Sequence, residues 1–183
     1  MKKLLLVAVL IVPLLAKAQT KQDPFNYKAE DRYLYYSDVV KVDTTLTATD
    51  LYKDAKLFIA KLALANTKVT TDDAAGGTVI VNIEEPATYK TQTGIGDEPM
   101  TLKYVIKLEL KKGRYRYTFD NIQISYTDDD KNLQRTLYDM DKEKGGGIIG
   151  VGKGKRVLKA MDALFMKKID LLASTMSKRS DDF

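Results

Sequence analysis

Apolar residues recur along the chain with two different periods. Between Thr101 and Lys111 the period is two. Leu102, Tyr104, Ile106, Leu108 and Leu110 alternate with Lys103, Lys107, Glu109 and Lys111, and only Val105 interrupts the polar set. That rhythm puts one set on each face of a β-strand. After a Lys112-Gly113 turn it resumes with Tyr115, Tyr117 and Phe119, then slips at Asp120-Asn121 to Ile122, Ile124 and Tyr126. A bulge there keeps both runs on one face. Thr78–Glu85 (TVIVNIEE) follows a Gly76-Gly77 turn and is β-branched, and Pro86 confines its end to an edge or bulge. Tyr33–Val42 and the short Lys68–Asp72 complete five strands; Gln92–Met100, with two glycines and a proline, reads as a loop.

Elsewhere the period is helical. From Thr47 to Ala65, Leu51, Ala55, Phe58, Ile59, Leu62 and Ala65 form one stripe. Thr47 stands as N-cap with Asp50 at the capping-box spacing, and Asn66 offers a left-handed C-cap. A second helix, Val157–Ser177, has Leu158, Met161, Phe165, Ile169, Leu172 and Met176 as its stripe, with Lys159, Lys167 and Lys168 off it. Residues 127–156 between the last strand and this helix read as a loop, acidic first and Gly-rich later. The order is β-α-β-β-β-β-α. Each helix has one apolar stripe and the sheet one apolar face, so the expected fold is a two-layer α+β domain: a five-stranded antiparallel sheet with both helices on one side and the other side wet.

The first 18 residues stand outside this scheme. Lys2 and Lys3 precede an apolar run, Leu4–Leu15, and Ala16-Lys17-Ala18 is a small-x-small cleavage site, with the cut expected before Gln19. This is the pattern of a secretory signal peptide. The run extends for roughly 18 Å as a helix, too short for a hydrocarbon core of about 30 Å. No second such run exists, so no transmembrane helix is expected after cleavage. A polar lead-in (19–32), one domain (33–177) and a frayed tail (178–183) are expected to follow. The leader holds three lysines and no acid, so the formal charge of +5 falls to +2 without it. That balance is not the footprint of a nucleic-acid binder, and none is expected as partner.

Two of these segments, VVKVD…TATDLY (Val39 to Tyr52) and KKGRYRYTFDNI (Lys111 to Ile122), behind a signal peptide, resemble a bacterial secreted family of domains of unknown function with a TATA-binding-protein-like (TBP-like) fold. The resemblance covers Tyr33 to Tyr126. It implies a curved antiparallel sheet with helices on its convex side, and it implies no activity. TBP itself grips DNA through the corresponding face with apolar wedges. Here that face would carry Lys103, Lys107, Glu109, Lys111, Arg114, Arg116 and Thr118, without a pair of Phe wedges.

The chain has no His and no Cys. That excludes Ser-His-Asp and Cys-His catalysis, and imidazole or thiolate metal sites. Catalysis would fall to carboxylates. Glu84 and Glu85 are adjacent in a strand, so they point to opposite faces. Asp128, Asp130 and Asn132 have the first three calcium-loop spacings, but the sixth and twelfth positions are Leu133 and Asp139, so an acidic loop is expected instead. GGGIIGVGKGKR (Gly145–Arg156) approaches a P-loop, yet Gly154 stands where the metal-binding hydroxyl belongs. Gly147, Gly150, Gly152, Lys153, Lys155 and Arg156 therefore remain as a candidate anion or ligand loop at a helix N-terminus. Tyr115 and Tyr117 are expected in the core rather than as a stacking platform, with Arg114 and Arg116 outward beside Glu109 or its neighbours. Tyr33, Tyr35 and Tyr36 are sheet filler or, on an edge strand, a strip for strand addition.

These observations favour a non-enzymatic exported protein of the periplasm or cell surface. It would need no cofactor or metal. It would bind an envelope protein or polymer through an open sheet face bearing Lys103, Lys107, Glu109, Arg114 and Arg116. An anion-binding protein using the Gly-rich loop is the alternative, and a carboxylate-dependent hydrolase of envelope polymers a second.

Overall fold

The computed structural model describes residues 26–28, 33–62, 66–128, 131–136 and 152–177. The expected signal peptide, most of the lead-in, the tail, and Gly147 and Gly150 lie outside them. The described elements are β1 (Asn26–Lys28), β2 (Tyr33–Lys41), α1 (Ala48–Leu62), β3 (Asn66–Asp73), β4 (Thr78–Lys90), β5 (Asp97–Lys111), β6 (Arg114–Asp128), β7 (Lys131–Thr136) and α2 (Lys153–Met176).

All strand pairs are antiparallel, in the order β1-β2-β6-β5-β4-β3. Strand β5 pairs with β6 from Arg114 to Tyr126, while β2 and β7 share its other edge: β2 pairs with Arg114–Phe119 and β7 with Gln123–Asp128. The five expected strands form a curved two-layer α+β fold, and the short β1 and β7 extend the sheet to seven strands. The slip at Asp120-Asn121 is a bulge, with Asn121 at φ 49°. Pairing passes from Val105 opposite Asp120 to Lys103 opposite Gln123. The extra residue keeps Ile122, Ile124 and Tyr126 buried alongside Tyr115, Tyr117 and Phe119.

The boundaries differ from expectation where pairing extends a strand or helix. Residues Asp97–Met100, expected in a loop, pair with Ala87–Lys90, so the turn shrinks to 91–96, with Gly94 and Gly96 at positive φ. Strand β3 stops pairing at Glu84, so Pro86 stands where β4 has become an edge. Asn66 opens β3 opposite Glu84 instead of capping α1. The stretch 127–156 is not all loop. Asp128 and Asn132 belong to the β6–β7 hairpin, in which Asp128 pairs with Lys131, and Gly152 already caps α2. At the start of α1 the capping box forms: Asp50 N donates to Thr47 Oγ1 at 3.1 Å and Thr47 N to Asp50 Oδ2 at 3.0 Å.

Both helices lie on the apolar sheet face. Leu51, Ala55 and Phe58 of α1 and Val157, Met161, Phe165 and Leu172 of α2 are buried against Val81, Leu102, Ile106, Leu108, Phe119 and Ile124. Phe165 is the hub, with ring centroids 4.9 Å from Tyr36, 5.1 Å from Tyr104 and 5.6 Å from Phe119. Tyr36 therefore belongs to the core, and β1 covers the outer edge of β2, which leaves no free Tyr strip there.

Candidate functional site

The sheet face opposite the helices is uncovered among the described residues. Cross-strand register arranges its side chains in rows. One row runs Glu84–Lys103–Gln123, another Lys107–Thr118–Ser37, another Glu109–Arg116–Val39, and the last Lys111–Arg114–Lys41. The expected face residues Lys103, Lys107, Glu109, Arg114 and Arg116 all lie on it, and none is buried. Lys103 pairs with Glu84 at 3.3 Å, and Glu109 is shared by Lys107 at 3.2 Å and Arg116 at 3.5 Å. Arg114 stands between Lys111, the neighbour of Glu109 on the same face, and Lys41.

The end of the face that bears this row is held firmly. Gly113 turns the β5–β6 hairpin at φ 70°. Its N–H donates to Leu46 O at 3.1 Å, and Val42 N donates to Gly113 O at 3.0 Å. A Cβ on Gly113 would come within 3.1 Å of Thr44 Cα, so the hairpin tip and the β2–α1 loop touch backbone to backbone. At the other end, Asn66, Asn82, Asn121 and Gln123, with Glu84 and Lys103, line an open depression of about 500 Å³. Four of its eleven lining residues carry side-chain amides, each of which offers both donors and an acceptor.

The Gly-rich segment is placed differently from expectation. Lys153, Lys155 and Arg156 form the first turn of α2, not a loop. The Lys153 ammonium lies 3.9 Å from Glu98 and 4.6 Å from the centre of the Tyr126 ring, and Tyr89 OH donates to the same Glu98 carboxylate. Arg156 Nε donates to Lys90 O at 2.9 Å. Of these three cations only Lys155 is exposed. A cleft of about 970 Å³ separates this turn of α2 from the β4–β5 turn, with Leu158, Ala160 and Ala163 as its apolar wall.

A polar cluster between the layers was not anticipated from the sequence. Glu85 accepts from Tyr104 OH at 2.8 Å and from Lys168 Nζ at 3.0 Å, and both charged side chains are almost wholly enclosed, 6% and 12% exposed. Burial, with the Glu85 carboxylate beside it, pushes the Tyr104 phenol well above its usual range. Burial does the same to Tyr36, whose OH faces Asp162 at 3.4 Å. Lys168, expected off the stripe, lies three residues after Phe165 and four before Leu172, the spacing of the buried face. Glu85 continues the alternation of Val79, Val81 and Ile83. Both signals were in the sequence and were outweighed by the charge of the residues.

Glu84 and Glu85 do take opposite faces. Asp72 accepts from Lys56 at 2.6 Å and from Tyr52, bonds that hold its carboxyl below the usual range, while Asp73 accepts from Gly76 N. Among the described residues no group of three or more acids is placed to hold a metal ion, and no helix is long and apolar enough to cross a membrane.

Comparison with known proteins agrees with this architecture. Residues 36–125 match the family model described as a domain of unknown function (DUF4468) with TBP-like fold. Two solved structures are similar. One is a DUF4468 family protein from Bacteroides ovatus ATCC 8483, at a TM-score of 0.65 and 12% identity over 84% of this chain and 91% of that one. The other is a TBP-like protein from Parabacteroides distasonis ATCC 8503, at a TM-score of 0.65 and 15% identity over 80% of this chain and 94% of that one. No curated protein matches. From the core of β2 to Ser125 of β6, through the capped helix and the bulged hairpin, the chain carries a domain that matches the DUF4468 family of domains of unknown function with a TBP-like fold.

Proposed function

We propose that the protein is an exported, non-catalytic binding module whose open sheet face receives a partner in the cell envelope. The observation that carries this reading is the asymmetry of the sheet. One face is sealed by both helices, while the other, about 27 Å long from Lys103 to Lys111 at 3.3–3.4 Å per residue, has no helix over it among the described residues. Export rests on the Lys2–Ala18 leader. A non-catalytic role is favoured because Glu84 and Glu85 point apart and Asp72 is tied to Lys56 and Tyr52.

Lysine acetylation of the full protein, with and without an envelope fraction of its host, tests the reading. Lys103, Lys107 and Lys111 should be shielded, while Lys53, Lys159 and Lys167 on the exposed helix surfaces keep their reactivity. Shielding confined to the helix lysines overturns it. Recovery of the intact chain, Met1 included, resident in the cytosol of its host overturns the exported part.

A further inference from the structure

Like charges placed directly opposite one another destabilise a sheet. The rest of this sheet avoids them: Lys103 faces Glu84 and Arg116 faces Glu109. At its far end the rule is broken twice in one row, because Arg114 pairs with Lys41 on one side and with Lys111 on the other. Adjacent strands are about 4.8 Å apart, so three cations fall within about 10 Å, with Lys112 in the turn beside them. All four are exposed, and none has an ion-pair partner among the described residues. The backbone bonds of Gly113 to Leu46 and Val42 hold the strands beneath them in place. Repulsion built into a rigid, uncovered row is relieved when an anion lies along it.

We infer that this row is the anchoring site for an acidic polysaccharide, whose carboxylate or sulfate groups lie across Lys41, Arg114 and Lys111 and whose neighbouring sugars extend along the open face. The inference rests on the binding-module reading and names its partner. Two observations favour a sugar polymer over other polyanions. First, the depression that Asn66, Asn82, Asn121 and Gln123 line together with Lys68, Glu84 and Lys103 lies on the same face, and side-chain amides match hydroxyls, which both donate and accept. Second, among the described residues the row has no large exposed apolar side chain beside it except Val39, 43% exposed, whereas a protein held at a bilayer surface gains from inserted apolar side chains.

The test uses the full chain with polygalacturonate and heparin as probes, and compares Lys41→Thr/Lys111→Thr/Arg114→Thr with Lys53→Thr/Lys159→Thr/Lys167→Thr, which removes equal charge from the helices. The parent should bind both polymers, more weakly as salt rises. The row variant should bind about tenfold more weakly or worse while melting at or above the parent's temperature, because its repulsion is gone. The helix variant should bind as the parent does. Equal losses in the two triple variants, or a parent that binds anionic vesicles or duplex DNA as tightly as the polysaccharides, overturn the inference. If neither polymer binds while envelope material still shields Lys103, Lys107 and Lys111, the inference fails and the binding-module reading stands. If the helix variant alone loses binding, the open-face reading fails as well.

Discussion

The two faces of the sheet treat charge in opposite ways. Between the layers each lysine has an acid and a tyrosine: Lys168 with Glu85 and Tyr104 near the middle of α2, Lys153 with Glu98 and Tyr89 at its start. The enclosed cluster is the tighter of the two, at 3.0 Å against 3.9 Å. Removing a charge from water costs several kcal/mol, so a sequence can keep one there only with a partner. On the open face water lowers that cost, and three cations stand side by side without one. Solvent tolerates the repulsion but does not require it. The covered face shows what the fold needs to stand, and the open face shows something the fold would be at least as stable without.

Breaking the covered side should have the largest effects. Phe165→Ala removes the ring that joins Tyr36, Tyr104 and Phe119 and should cost about 3–5 kcal/mol, measured by urea denaturation. Lys168→Met leaves the Glu85 carboxylate enclosed without its ammonium and should cost about 3 kcal/mol. Replacing both, Glu85→Leu/Lys168→Leu, should cost less than Lys168→Met alone. A double variant as unstable as the sum of the singles would mean that the two charges are not coupled.

The covered face was legible in the sequence where periodicity and chemistry agreed. The alternation in β5 and the slip at Asp120-Asn121 foretold which residues of β5 and β6 are buried, because a period of two leaves one solution per face. Lys168 and Glu85 were missed where the two signals conflicted: spacing placed them inward and charge argued for water. Lys41 was missed for another reason. The Lys111–Arg114 pair is local, flanking a two-residue turn, but Lys41 joins them only because β2 lies beside β6, a pairing of strands about 80 residues apart that no local pattern records. The start of α2 was misplaced because Gly152 provides no side-chain cap to mark it.

The enclosed phenols give the covered face a pH signature. Burial raises Tyr36 and Tyr104 far above the ordinary value and pushes Tyr115 up to about 12. Below about pH 10 these groups are neutral whether the chain is folded or not, and the stability linked to them is fully present. Above it the unfolded chain ionises first, and stability should fall by about 1.4 kcal/mol per pH unit for each such tyrosine. Denaturation midpoints between pH 8 and 12 should show this decline, made shallower by Tyr104→Phe. Thr47→Ala, which removes the cap of α1, should cost about 1 kcal/mol. It should also let the Asp50 carboxyl rise toward its usual range, since the Thr47 bonds are what lower it.

The smallest expected effect on stability separates the two faces most sharply. Among the described residues Glu109 is the acid shared by Lys107 and Arg116, at 3.2 and 3.5 Å, and it is about one-third exposed. Such solvent-screened pairs contribute at most about 0.5 kcal/mol, so Glu109→Gln should barely move the melting temperature. Yet it frees Arg116, one row inward from Lys41, Arg114 and Lys111, and Lys107, two rows inward, and should tighten binding of acidic polysaccharide by severalfold at low salt, an advantage that shrinks as salt screens it. Glu85→Gln on the covered face should do the reverse, costing stability and leaving binding unchanged. If Glu109→Gln instead destabilised the fold while leaving affinity unchanged, the acids of the open face would be structural, and the contrast between the faces would not hold.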